Sequence, residues 1–267
     1  MPKIPAHTSW LVEDSTGYST SDGVKVTRIT FEHEQDPEIL NEWAEHFRSH
    51  YRTNAEIETT AEAFGISKEE FLRQHVFPQN NGFGKSVRSG DFSEILVADY
   101  LEYVKSFEVP RTKYYLKDNP NTSARGVDII AFKFSPQGIS VDDELLTVEV
   151  KATLNSSRNS LQLAIDDSKK DHSIRLPYSL AAMSARLSNK GLSADVAKLH
   201  RFMNKVQKPY TEISGAAEVC STQYWDATRI SNSVSSHPND NCMFLVVSGD
   251  DLFQLVEQLY EVACVTA

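Results

Sequence analysis

Apolar and polar positions alternate along Val24-Lys25-Val26-Thr27-Arg28-Ile29-Thr30-Phe31, which predicts a strand. Residues 126–134 and 145–153 read as two more strands, and Met243 to Ser248 as a fully buried one. Residues 111–116 (Arg-Thr-Lys-Tyr-Tyr-Leu) form a further candidate strand. Asp36-Pro37-Glu38 opens a helix to about Tyr51, with Asp as cap and Pro in the first turn. Ser67-Lys68-Glu69-Glu70 is a capping-box pattern that opens a helix through about Val76. Helical spacing recurs from Asp91 to about Phe107 and from Ser160 to about Asp171. It continues in helices with basic faces up to about 208, and in a last helix capped by Asp250 and running to about Ala263. Residues 78–90, rich in Gly, Asn and Ser, read as a loop and a boundary. Two regions follow: a mostly helical region at 1–80, and a second domain at 81–267. With residues 172–235 set aside as a helical insertion, the second domain has the order αβββαβ.

Of the 267 residues, 40% are hydrophobic and 24% charged, as in a folded α/β protein. No apolar run approaches the roughly 20 residues of a membrane helix, and the first residues show no secretory pattern. Three isolated cysteines, Cys220, Cys242 and Cys264, have no zinc or redox spacing, which suggests buried thiols in a cytoplasmic protein. The net charge of −10 argues against a protein that coats nucleic acid. The distribution changes that picture. Residues 168–210 hold nine Lys/Arg and two acids, whereas residues 1–80 hold 14 acids and seven Lys/Arg. A basic face within 168–210 suits phosphate contact, with Lys169, Lys170, Arg175, Lys198, Arg201 and Lys205 as candidates.

The strands at 126–134 and 145–153 carry charge where an ordinary core would be apolar. A charge there costs free energy unless it is solvated, paired or metal-bound. Glu149 and Lys151 lie two residues apart, so they share one face of their strand. Asp128 on the neighbouring strand can lie across from them, and Glu94 sits early in the preceding helix. Crowded carboxylates resist ionising unless a divalent cation neutralises them. All-oxygen donors favour Mg²⁺ or Mn²⁺ over Zn²⁺. Such an ion stabilises charge on a phosphate and activates water, and Lys151 is placed to assist. The blander readings are a solvent-facing Glu-x-Lys, a turn aspartate and a first-turn helix acid. The conjunction Glu-(x33)-Asp-(x20)-Glu-x-Lys over helix, strand and strand favours a shared site.

This conjunction resembles the PD-(D/E)xK phosphodiesterase superfamily. The resemblance implies a restriction-endonuclease-like αβββαβ core, with Glu94, Asp128 and Glu149 as metal ligands and Lys151 as the catalytic lysine. Val127 stands where the motif has Pro, and Gln162 resembles a glutamine that some members place after the lysine. Ser89-Gly90-Asp91-Phe92-Ser93-Glu94, Arg125-Gly126-Val127-Asp128-Ile129 and Ser248-Gly249-Asp250-Asp251-Leu252 resemble a narrower group, the nuclease subunits of the Hachiman antiphage defence system. That likeness implies a Mg²⁺-dependent DNA endonuclease, restrained and activated by a superfamily 2 helicase partner. A restriction-type enzyme, an RNA-directed nuclease and a non-catalytic binding module on the same fold stay open.

Other motifs carry less. Gly82-Phe83-Gly84-Lys85-Ser86 suggests a phosphate loop, but Gln79 replaces the required first Gly. His46 and His50 are spaced i, i+4 without the glutamate of a zincin, which reads as a solvated helix face. His172 and His200 read as surface residues.

Overall fold

The computed structural model describes residues 3–115, 117–171 and 175–267. Its centre is a seven-stranded mixed sheet flanked by helices. In chain order the strands are β1 (Leu11–Glu13), β2 (Tyr18–Ser19), β3 (Lys25–Phe31), β4 (Ile129–Lys133), β5 (Glu144–Thr153), β6 (Thr211–Ser221) and β7 (Cys242–Gly249). Across the sheet the order is β1-β3-β7-β6-β5-β4, with β2 also on β3. Strands β3, β7, β6 and β5 run parallel, while β4, β1 and β2 pair antiparallel to their neighbours.

The helices are α1 (Pro37–Ser49), α2 (Asn54–Phe64), α3 (Lys68–Phe71), α4 (Gly82–Asp99), α5 (Ser160–Lys170), α6 (Leu176–Asn189), α7 (Ser193–His200), α8 (Ala227–Asn232) and α9 (Leu252–Val265). Their starts follow the expected chemistry. The Asp36 carboxylate accepts from Glu38 N and Ile39 N, and Ser67 Oγ from Glu70 N. A wider turn carries α3 on to Val76, and another carries α4 on to Val104. Among the described residues no helix is long and apolar enough to cross a membrane.

Residues 3–80 do not stand apart from the sheet. Strand β3 is hydrogen bonded in parallel to β7 from Val26↔Phe244 to Phe31↔Gly249. Trp10, Phe31, Trp43 and Phe47 share one apolar core with Ile95, Val148, Leu245 and Val256. This region therefore contributes three strands as well as helices α1 to α3.

Three local expectations are corrected. Residues 111–115 form no strand, and Leu116 lies outside the described residues. The chain instead touches β4 through a single antiparallel bridge, Glu108↔Phe132. The loop expected at 78–90 is helical from Gly82 onward. Burial of Val87, Arg88, Asp91 and Phe92 outweighs the weak helix propensity of Gly and Ser. Gly84 permits a close approach, because a Cβ there would lie 2.1 Å from Gln79 O. Finally, the supposed insertion at 172–235 contains β6, which separates β5 from β7. Between α5 and β6 the helical part is α6 and α7, which close an apolar cluster around Leu180, Phe202 and Phe132.

Candidate functional site

The antiparallel register Ile129↔Val148 brings Asp128, the residue before β4, beside Glu149 on β5. Val150 N donates to Asp128 Oδ2 (3.0 Å), which ties the aspartate to that strand. Alternation along β5 puts Val148 and Val150 in the large apolar core. Glu149 and Lys151 emerge on the opposite face, with Lys151 Nζ 3.3 Å from Glu149 Oε2. Helix α4 delivers Glu94. All four expected site residues line one open cleft of about 580 Å³, together with Arg125, Asp167 and Arg175.

Cations hold the acids in place. Lys113 Nζ lies 2.7 Å from Glu94 Oε2 and 2.5 Å from Asp128 Oδ1, and the Tyr114 hydroxyl donates to Glu94. Arg175 bridges Glu149 (2.9 Å) and Asp171 (3.1 Å). Lys151 also pairs with Asp167 (2.7 Å), which Lys170 contacts at 2.5 Å. Asp91, one turn before Glu94, is held separately by Lys117 (2.8 Å) and the Tyr51 hydroxyl (2.8 Å).

The electrostatics mark a strained acid cluster. Burial, reinforced by Asp128, pushes the Glu94 carboxyl up to about 8. Burial, Asp128 and Asp171 push Glu149 up to about 9, and burial raises Asp171 to about 6. Lys113 is raised as well despite its burial, because Asp128 and Glu94 hold its proton. Burial lowers the basicity of Lys151, but its hydrogen bond to Asp167 and the charge of Glu149 outweigh that. Such a concentration of perturbed groups in one cleft is a recurring property of catalytic sites.

The carboxylates of Glu94, Asp128 and Glu149 are hard oxygen donors, which fits Mg²⁺ or Mn²⁺. Their cation partners occupy the positions that a divalent ion would neutralise, so those side chains must yield when an ion enters.

The expected phosphate contacts divide. Arg175 reaches the cleft, and Lys170 borders it through Asp167. Lys169 pairs with Asp166, Lys198 with Glu108 and Lys205 with Glu212. Arg201 is a correction. It is 7% exposed and donates to the carbonyls of Ser140, Lys208 and Pro209 while pairing with Asp143 at 2.5 Å. Its role is to fasten α7 to the start of β5 and β6.

Gln162 bonds Val234 and Asp166 instead of entering the cleft. His50 is buried and His46 half-buried, so they do not form a solvated face. His200 is exposed and bonds Ser184, and His172 lies outside the described residues. Cys220 and Cys264 are buried, and Cys242 is partly so.

Sequence reasoning missed Lys113, Asp167 and Asp171. Lys113 lay in an assumed strand, where nothing in the spacing pointed toward Glu94. Asp167 and Asp171 flank Lys170 near the end of α5, a position that reads as ordinary solvated charge. Their i, i+4 separation, which places both on one helix face, was the available signal.

No curated protein matches the chain. Comparison with protein families gives a match to HamA over residues 5–263, nearly the whole length. The chain therefore belongs to the HamA family of the Hachiman antiphage defence system.

Proposed function

We propose that the chain is a divalent-metal-dependent DNA endonuclease and the effector of its defence system. The observation that carries this reading is the convergence of Glu94, Asp128, Glu149 and Lys151 on one cleft. The surrounding topology supports a restriction-endonuclease-like core. Helix α4, the Glu108↔Phe132 bridge, β4, β5, α5 and parallel β6 follow in that order. In this reading β6, and not the strand at 243–248, closes the αβββαβ unit.

Asp128 and Glu149 would hold Mg²⁺ or Mn²⁺, with Glu94 alongside, and the ion would supply charge stabilisation at the phosphate and a lowered water pKa. The protein's own groups do the rest. Lys151, held by Glu149 and Asp167, orients the attacking water and offsets negative charge as it builds on phosphorus. Arg175 stands on the same rim and can turn from Glu149 toward a phosphate oxygen. The test is cleavage of labelled DNA and RNA of matched sequence, with Mg²⁺ or with a chelator. Cutting of RNA alone would replace DNA as the substrate, and no cutting of either would contradict the nuclease reading.

Arg125 is exposed on the cleft rim and has no ion-pair partner among the described residues. A free guanidinium beside an acid cluster is suited to the substrate backbone. Arg125→Ala is expected to weaken DNA binding and to reduce the log–log salt slope by about 0.9, one phosphate contact. An unchanged slope in a salt titration would remove Arg125 from the interface.

We further propose restraint by a helicase partner, docked through the acidic surface of residues 1–80. Exposed Glu58 and Glu62 on α2 and Glu69 and Glu70 beside them present that charge. Acidic surface repels DNA and steers a basic partner. Because β3 and α1 belong to the common core, charge reversal of these four glutamates is the appropriate test. A quadruple Lys variant that still co-purifies with the helicase subunit would place the docking surface elsewhere.

A further inference from the structure

A second polar cluster lies apart from the cleft, where the N-terminal segment meets α1 and the end of α4. Asp99, the last residue of α4, has no exposed surface. His7 Nε2 is 2.9 Å from its Oδ2, and His46 Nε2 is 3.0 Å from its Oδ1. One donor atom from each of the three residues lies within 4.8 Å of the other two. Arg111 also reaches Asp99 Oδ1 (2.8 Å), and is held independently by Glu102 at 2.6 Å.

Two imidazoles presenting the same ring nitrogen to one buried carboxylate form a recognisable donor set. Tetrahedral Zn²⁺ with bonds of about 2.0 Å holds its ligand atoms about 3.3 Å apart. The observed separations from Asp99 are slightly shorter, so a small outward shift admits the ion. His46 retains 17% side-chain exposure, which supplies an entry path and an open fourth position for water.

His7 stacks on Trp43 at 4.7 Å, and His50 lies edge-on to His46 at 4.7 Å. His7 Nδ1, Trp43 Nε1 and His50 Nε2 are all buried without a hydrogen-bond partner among the described residues. Bound water is what completes the bonding of such buried nitrogens.

We propose that His7, His46 and Asp99 form a zinc site that pins the N-terminal segment to α1 and α4. Imidazole nitrogen selects Zn²⁺ here, whereas the all-carboxylate cleft selects Mg²⁺ or Mn²⁺. Upon binding, each imidazole presents its Nε2 lone pair and carries its proton on Nδ1. Asp99, whose Oδ1 also binds Arg111, supplies the carboxylate ligand.

The experiment uses the full chain without a histidine tag, in excess Mg²⁺ to saturate the cleft. Co²⁺ is titrated as a spectroscopic substitute for zinc, and zinc content is measured after dialysis against a Zn²⁺ buffer. One equivalent of zinc is expected, with the visible absorption of low-coordinate cobalt. Partly exposed His46→Ala should lower cobalt affinity about 100-fold while melting as a folded protein. Asp128→Asn, in the cleft, should leave the cobalt spectrum unchanged. Absence of bound zinc in the wild type would overturn the proposal and leave Asp99 as a hydrogen-bonded buried carboxylate. Equal affinity in His46→Ala would overturn it too, as would a cobalt signal lost in Asp128→Asn.

Discussion

Glu149→Gln is expected to abolish cleavage while making the metal-free protein more stable near neutral pH. Its carboxyl is 3% exposed and shifted up to about 9 by burial and by Asp128 and Asp171. In the unfolded chain it would titrate near 4.5. Between those values the folded state holds a proton that the unfolded chain has released. Stability therefore falls as pH rises across that window, and the whole penalty is present above about 9. Gln has the same shape and no charge, so the penalty disappears. Arg175 keeps Asp171 and Lys151 keeps Asp167, which limits the loss of pairing. A net gain of about 1–2 kcal/mol at pH 8 corresponds to a rise of roughly 2–6 °C in Tm. Activity should fall about 10³-fold or more, because an amide does not replace a carboxylate at a hard cation. Melting curves from pH 5 to 9 on both proteins decide the first part. Curves that differ equally at pH 5 and pH 8 would show that Glu149 is not strained.

Lys113→Met should have the opposite sign in the absence of divalent cations. Lys113 is the shared counter-ion of Glu94 and Asp128, and these two acids hold its proton firmly. Its raised pKa contributes stability that is complete below about 10.5 and is lost only as pH climbs through the higher folded value. Removing it leaves two buried carboxylates facing one another. Breaking a buried pair in this way costs on the order of 3–5 kcal/mol. The cost should shrink toward acidic pH, since Glu94, already up to about 8, takes a proton there. Mg²⁺ or Mn²⁺ should restore much of the loss by replacing the missing cation. A Lys113→Met protein that melts like wild type without divalent ions would sink this assignment. So would one that gains nothing from Mn²⁺.

Strand alternation made most of the cleft legible in the sequence. Glu149 and Lys151 had to share a face of β5, and a short hairpin partner had to bring Asp128 beside them. The less visible parts depend on long-range packing. Strand β6 reads Thr-Glu-Ile-Ser-Gly-Ala-Ala-Glu-Val-Cys-Ser, with few bulky β-formers and no alternation, because both its faces are covered. Gly215 sits where a Cβ would approach Thr147 O to 2.7 Å, a requirement set by the neighbouring strand. Glu218 within β6 is paired with Arg229 and accepts from Ser160 N, a partner 58 residues away in the chain. Lys113 reaches Glu94 and Asp128 from an irregular segment, whose course no periodicity describes. Gly82 to Gly90 is helical, against local preference, because Gly84, Val87 and Arg88 pack into the interior.

The most direct test of the central claim is plasmid cleavage by Lys151→Ala beside the wild type, in Mg²⁺ and in chelator, with melting curves from the same preparations. Lys151 is half-buried and contacts Glu149 and Asp167 only through its terminal nitrogen, so the variant should fold. Truncation of a catalytic lysine is expected to lower the rate about 10²–10⁴-fold. The catalytic role of Lys151 requires Mg²⁺-dependent cutting by the wild type and none detectable from a folded Lys151→Ala. Undiminished cutting by that folded variant would contradict it.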